Sequence, residues 1–215
     1  MILFSHVYKE VNGDIVLRDI NFNIKKDEFA FIYNENENVL VALRKLLCNK
    51  EKPDRGFVRL FNKVKNNIEL YNYRIGIVYK ENILLNNRNL KENLKFVLTV
   101  KGLSYNYYRN RIKRVLKIVD LETESLKLPS SLLPHQLKRA NIAQAILAYP
   151  SLIILENPTY NLDEVNSRGI YNLLKEINNM GITIVLLTSD DSLIPGSKNR
   201  RVVNLKEGEI LAEKI

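Results

Sequence analysis

Apolar residues recur along this chain with two periods, and the switching between them predicts its elements. Residues 2–7 and 15–24 read as paired antiparallel strands, with Leu17, Ile20, Phe22 and Ile24 marking the second and a turn at Asn12, Gly13 and Asp14 between them. A buried strand follows over 28–33, then a polar loop at 34–38. The helix expected next, over 39–48, carries Leu40, Leu43, Leu46 and Leu47 at helical spacing. Pro53, Asp54, Arg55 and Gly56 predict a turn before a strand at 57–61, and a polar connection then leads to a strand at 73–79. Two amphipathic helices are predicted over 89–102 (Leu90, Leu94, Val97, Leu98) and 107–121 (Ile112, Val115, Leu116, Val119). A helix at 136–148 leads into the apolar run Leu152, Ile153, Ile154 and Leu155, bounded by Pro150 and by Glu156, Asn157 and Pro158, which suits a strand buried on both faces. Residues 166–180 predict a helix ended by Gly181, residues 182–187 a second continuous apolar strand, and 201–210 a terminal hairpin turning at Glu207 and Gly208.

Strands alternating with helices place chemistry at the carboxyl ends of the strands. Two such ends stand out. After the strand at 28–33, the strand–loop–helix layout matches a P-loop, whose glycine-rich turn offers backbone N–H groups to phosphates while a Lys and a Ser or Thr reach the terminal phosphates and magnesium. The residues depart from that pattern. With Asn34 at the first glycine position of G-x-x-x-x-G-K-[ST], the second glycine falls on Val39, the lysine on Leu40 and the hydroxyl residue on Val41. A β-branched residue is strained at positive φ, and Leu40 supplies no cation. Glu35 and Glu37 add negative charge where a polyphosphate would sit. The second end is that of 152–155, followed by Glu156 and Asn157.

Length and composition narrow the classes. The 215 residues suit one domain, 46% of them are hydrophobic, and no apolar run approaches the roughly 20 residues of a membrane-spanning helix. The start MILFSHVYKE lacks the order of a signal peptide, so a cytosolic chain is expected. One cysteine, Cys48, excludes an internal disulfide and reads as a small core residue; two histidines, His6 and His135, make no metal cluster, and His135 reads as a surface-loop residue. The net charge of +9 favours acidic partners. Arg109, Arg111, Lys113, Arg114 and Lys117, interleaved with Tyr105, Tyr107 and Tyr108, would suit RNA or a lipid headgroup surface, but basic residues opposite an apolar stripe are ordinarily the solvated face of a helix.

From about residue 2 to 211 the chain resembles the ATP-binding subunits of ABC systems, and within them the FtsE-like subunits that work with an FtsX-like membrane protein in cell division. The resemblance lies in residues 28–31 (EFAF), 46–48 (LLC) with Pro53 and Gly56 beyond, 75–78 (IGIV), Leu84 and Leu85 with Arg88, Glu92 and Asn93, and 158–163 (PTYNLD). It implies an α/β fold, an ABC ATPase-like P-loop fold with a mainly parallel core sheet, an antiparallel β layer and a helical subdomain at about 86–140 within a single domain, 1–215. The nucleotide-handling positions it implies are altered. The Q-loop glutamine position holds Lys80. The signature sequence Leu-Ser-Gly-Gly-Glu reads Leu132, Leu133, Pro134, His135, Gln136, and Pro134 has no N–H to offer a phosphate. At the Walker B positions Glu156 keeps a carboxylate at longer reach, and Asn157 cannot act as general base. The D-loop Asn161, Leu162 and Asp163 is kept, with Asp163 suited to cap the next helix; the switch histidine is Ser189, and the adenine-stacking position near Val11 is unfilled, with Tyr8 close by.

The resemblance therefore implies a pseudo-ATPase: not an enzyme, with no cofactor and no metal, a structural or regulatory subunit peripheral to the inner face of the cell membrane. The expected partners are an FtsX-like or other ABC membrane subunit, and a second copy or an active paralogue as a dimer. The implied membrane-partner contact comprises Lys80, Glu81, Asn82, Ile83, Leu84 and Leu85 and the helix from Leu90. An alternative is an ATP-binding subunit of an ABC transporter or FtsEX-type complex that binds ATP and Mg weakly through a rewired site, with Arg44, Lys45 or Lys80 as replacement cation. A second alternative is a basic nucleic-acid-binding protein, the least expected of the three.

Overall fold

The computed structural model describes residues 1–61, 74–191 and 201–214. They divide into two compact units: residues 1–66 with 154–157 and 181–215, and residues 67–153 with 158–180.

The first unit is built on two sheets. Strands β1 (Ile2–Val11), β2 (Asp14–Ile24) and β4 (Arg55–Leu60) form an antiparallel layer in the order β2-β1-β4. The hairpin follows from Asn12 and Gly13, both at positive φ, as a tight turn between twisted strands requires. In the second sheet β3 (Phe29–Tyr33) lies between β7 (Thr183–Thr188) and β8 (Arg201–Lys206), parallel to both. Strand β9 (Glu209–Lys214) closes this sheet antiparallel to β8. Phe29, Ala30, Phe31 and Ile32 are all buried, which is why this strand reads as a continuous apolar run and does not alternate. Helix α1 (Glu37–Leu47) turns Val39, Leu40, Leu43, Leu46 and Leu47 inward and packs on β1, β2, β4 and β7.

The second unit is mainly helical. Helices α2 (Leu90–Val100), α3 (Tyr105–Ile118), α4 (Pro134–Ile146) and α5 (Glu164–Asn179) accompany strand β5 (Ile75–Val78). Strand β6 (Leu152–Glu156), buried along its whole length, runs from this unit into the first. Asn89 and Glu92 form a capping box at the start of α2, which fixes its boundary where the sequence placed it. Helix α4 packs so closely on β5 that a Cβ at Gly76 would lie 2.5 Å from the carbonyl oxygen of Ala145.

Several boundaries differ from expectation, each for a local reason. Gly56 lies inside β4, not in a turn before it; its φ is +75°, and a Cβ there would meet the carbonyl oxygens of His6 and Ser5 at 2.1 and 2.3 Å. Helix α4 begins at Pro134, two residues early, because proline suits the first helical position. His135 is consequently half-buried in a first helical turn, not on a surface loop. His6 sits at an irregularity of β1, its N–H donating to Asn21 Oδ1 at 2.8 Å and its ring 2.8 Å from Asp19, a structural arrangement. Cys48 is half-buried and not a core residue; desolvation pushes its thiol up to about 11, so it is protonated at neutral pH. Tyr73, the polar connection after residue 61, and the side chain of Tyr107 lie outside the described residues. No described helix is long and apolar enough to cross a membrane.

Gly56→Ala is expected to destabilise the protein by about 3 kcal/mol or more, since backbone carbonyls and not flexible side chains occupy the space. Urea unfolding measures this directly. A change below about 1 kcal/mol would mean that β1 and β4 separate easily at this point.

Candidate functional site

At the end of β3 the chain enters the loop that links it to α1, and the loop is held by its own asparagines. The Asn34 N–H donates to the Thr188 carbonyl at 3.1 Å. Its buried side chain donates through Nδ2 to the Leu205 carbonyl at 2.9 Å and accepts the Asn36 N–H on Oδ1 at 2.7 Å. Asn36 then caps α1, its Oδ1 accepting the Asn38 N–H at 2.9 Å and its carbonyl the Val39 N–H at 3.1 Å. The amides of Asn34, Asn36, Asn38 and Val39 thus point at protein acceptors. None of residues 34–41 has a positive φ, so the loop lacks the left-handed geometry from which a phosphate nest is made. The helix starts at Glu37 and not at Val39, because Asn36 is a strong cap and Glu37 suits the positive end of the helix dipole. Val39 and Leu40 are buried in the core and Val41 is half-buried.

Below the loop lies a close ion pair. Arg44, one turn beyond Leu40 on α1, brings its Nε to 2.5 Å from Oε2 of Glu156 at the end of β6, with side chains only 12% and 8% exposed. Burial of this degree makes each charge dependent on the other. The next residue, Asn157, is buried at φ 40°; its N–H donates to the Leu187 carbonyl at 2.8 Å, and its Oδ1 accepts from the N–H and hydroxyl of Ser189 at 2.9 and 3.3 Å. Asn157 and Ser189 therefore join the ends of β6 and β7.

The surroundings are electronegative. The Tyr33 phenol is raised above its ordinary value, first by desolvation and then by the carboxylates of Glu35, Asp191 and Asp190. Tyr8, the aromatic nearest the adenine-stacking position, carries the Arg55 guanidinium 5.9 Å over its ring. Lys45 pairs with Glu51 at 2.6 Å.

In the second unit, buried polar side chains hold the segment after β5. Lys138 Nζ donates to the carbonyls of Tyr79 and Lys80 at 3.1 and 2.8 Å. Asn141 donates to Asn82 at 3.1 Å, and Asn93 both accepts the Leu85 N–H at 2.7 Å and donates to the carbonyls of Leu85, Arg88 and Asn89. Lys80 Nζ stands 3.9 Å over the ring of Tyr160. Of the segment expected to meet a partner, Leu84 and Leu90 are core residues, Lys80 and Leu85 are half-buried, and Glu81, Asn82 and Ile83 are exposed. Leu133, more than half exposed, is the residue before α4, and its N–H donates to Gln136 Oε1 at 3.0 Å. Asn161 takes φ 60°, the Leu162 N–H donates to the Thr159 carbonyl, and Asp163 caps α5 through the Asn166 N–H at 2.9 Å.

The structure places Glu156 and Asn157, Ser189 and the 34–41 loop at the ends of β6, β7 and β3, all within one unit. Sequence reasoning missed the Arg44–Glu156 pair. The signal available was an arginine one helical turn after Leu40, on the helix that follows the loop. It also missed Lys138 and Asn34 as organisers, since a buried lysine and a buried asparagine leave no periodic trace.

A β-strand, loop and helix with an acidic residue at the end of another strand define the class: an α/β nucleotide-binding cassette of the P-loop type. The chain belongs to the ABC transporter family, whose sequence model matches residues 17–160. It is 29% identical to the cell division ATP-binding protein FtsE of Escherichia coli (strain K12) over 98% of this chain and 97% of that protein. With FtsE of Mycobacterium tuberculosis the identity is 30% over 99% of this chain and 95% of that protein. Among solved structures, cbiO1 from Clostridium perfringens, part of the ABC transporter complex cbiONQ, superposes with a TM-score of 0.89 at 27% identity, covering 99% of this chain and 87% of that one. The dimeric ATP-binding cassette MJ0796 bound to ADP and Pi gives 0.84 at 26% identity, covering 100% and 98%.

Two outcomes are expected from these contacts. Arg44→Ala leaves the Glu156 carboxylate buried without its partner and should cost about 3–5 kcal/mol in urea unfolding, whereas Arg44→Met with Glu156→Leu should recover most of that loss. Equal losses in both would mean that packing and not charge is at stake. For Asp163, hydrogen bonds from Asn166 hold the carboxyl below its ordinary value. Its contribution to the α5 start is complete above the unfolded-state pKa and is lost as pH falls through the lower folded value. Asp163→Asn should flatten this part of the acid-unfolding curve, and an unchanged curve would assign the cap no role in it.

Proposed function

We propose that this chain is a catalytically inactive ABC ATPase homologue, FtsE-like, that serves as a structural or regulatory subunit of a membrane complex. Its partner in this reading is an FtsX-like membrane protein, engaged from the inner face of the cell membrane in cell division. The observation that carries the reading is the Arg44–Glu156 ion pair beneath a loop whose amides are turned to protein acceptors. Phosphoryl transfer on this fold works by positioning and charge stabilisation. Here the lysine position is a buried leucine, the carboxylate that would hold magnesium is neutralised by an arginine, and the position of the general base is an asparagine engaged with Ser189. The likeness to FtsE proteins supports the cell-division setting, and the dimeric solved cassette supports pairing with a second copy or with an active paralogue.

The rewired-site alternative needs a replacement cation. Arg44, Lys45 and Lys80 would each have to leave a present neighbour, respectively Glu156, Glu51 and the Tyr160 ring.

Calorimetric titration with ATP and magnesium, with Escherichia coli FtsE as control, separates the two readings. The inactive subunit gives no magnesium-dependent binding heat and no magnesium-dependent thermal shift. Micromolar binding that requires magnesium would overturn the proposal and direct attention to whichever cation then reaches the phosphates.

A further inference from the structure

The helical unit carries a groove that the reading above leaves unused. It lies between the start of α2, one face of α3 and the loop that follows α3, with a volume of about 580 Å³. Pockets for small organic ligands span roughly 300–1,000 Å³. Its wall carries Lys91, Arg109 and Lys113 against a single carboxylate, Glu122. Among the described residues none of these three cations has an ion-pair partner. Arg109 and Lys113 are one turn apart on α3, a like-charge spacing that repels and that an intervening anion would relieve.

The neighbouring carboxylates are committed elsewhere. Glu92 closes the capping box of α2, accepting the Asn89 N–H at 2.9 Å, and Glu124 accepts from the Thr123 hydroxyl at 2.7 Å and pairs with Lys127 at 3.7 Å. The rim is held in place, because the N–H groups of Leu90 and Lys91 donate to the carbonyls of Lys127 and Ser125 at 3.0 and 2.9 Å. The groove is not polar throughout. Ile112 and Leu116, both buried, are apolar parts of its lining, and Tyr105 adds an aromatic ring with the Lys95 ammonium 4.3 Å over it.

We propose that this groove binds an organic phosphate, with the phosphate held by Lys91, Arg109 and Lys113 and a ring or hydrocarbon part resting on Tyr105, Ile112 and Leu116. Arginine and lysine donate charge-assisted hydrogen bonds to phosphate oxygens, while the apolar lining favours a ligand larger than the free inorganic ion. A soluble mononucleotide and a phospholipid headgroup share this chemistry.

The test uses the full chain and two probes: AMP without magnesium in calorimetry, and vesicles of phosphatidylglycerol in phosphatidylcholine in co-sedimentation. Arg109→Gln with Lys113→Gln removes two cations from exposed positions of the groove, and Lys26→Gln with Lys206→Gln removes the same charge from exposed positions in the first unit. Saturable binding of at least one probe is expected, weakened at least about tenfold by the groove variant and unchanged by the control. AMP binding alone identifies a soluble ligand; vesicle binding alone identifies a headgroup. The proposal is overturned if neither probe binds, if the groove variant binds as the parent does, or if both variants weaken binding equally. A failed ATP titration at the 34–41 loop leaves this result untouched, because the variant residues belong to another unit.

Discussion

The first unit depends on the ion pair between Arg44 and Glu156. Both side chains are almost removed from water, and a lone charge in such a position costs several kcal/mol, so the Glu156 carboxylate is tolerated because Arg44 is there. The pair joins α1 to the end of β6. The asparagines around it complete the joint: Asn34 ties the start of the loop to Thr188 and Leu205, and Asn157 ties the end of β6 to Ser189. In a cassette that binds nucleotide, amides in such a loop and a carboxylate at such a strand end would face phosphate and metal. Here the amides face backbone and asparagine oxygens, and the carboxylate faces Arg44. The loop has no glycine and no positive φ; its amides close on protein acceptors, and the helix begins at Glu37.

The second unit uses the same device for another end. The segment after β5 has no ladder to satisfy its backbone, and Lys138, Asn141 and Asn93 supply the missing partners from α4 and α2. Their hydrogen bonds hold the backbone of the segment in place. It presents Glu81, Asn82 and Ile83 outward while Leu84 anchors it in the core. A preset backbone is what a docking segment needs, because ordering it on contact would subtract from affinity. The proposed role as a subunit fits a chain that spends its buried polar groups on fixing surfaces.

Much of the fold was legible in the sequence because burial leaves a period. Continuous apolar runs marked β3, β6 and β7, helical spacing marked α1 and α2, and Asn12 with Gly13 marked the first hairpin. Boundaries were less legible where a single residue decides them. Asn36 moved the start of α1, Pro134 moved that of α4, and Gly56 proved to be a strand residue because only the tertiary approach of residues 5 and 6 reveals why it has no side chain. Val39, Leu40 and Asn157 at the motif positions could be read one by one. The Arg44–Glu156 pair could not, since the two stand far apart in sequence and neither advertises the other. Lys138 is the same case: among charged residues on a helix, the buried one looks like the rest.

A crystal structure of the full chain grown with a non-hydrolysable ATP analogue and magnesium examines the central claim at its own atoms. The account predicts Arg44 Nε on Glu156, the Asn36 N–H on Asn34, and no phosphate density over residues 34–41. Phosphate density in that loop, with Arg44 swung away from Glu156 or magnesium on the Glu156 carboxylate, would contradict it.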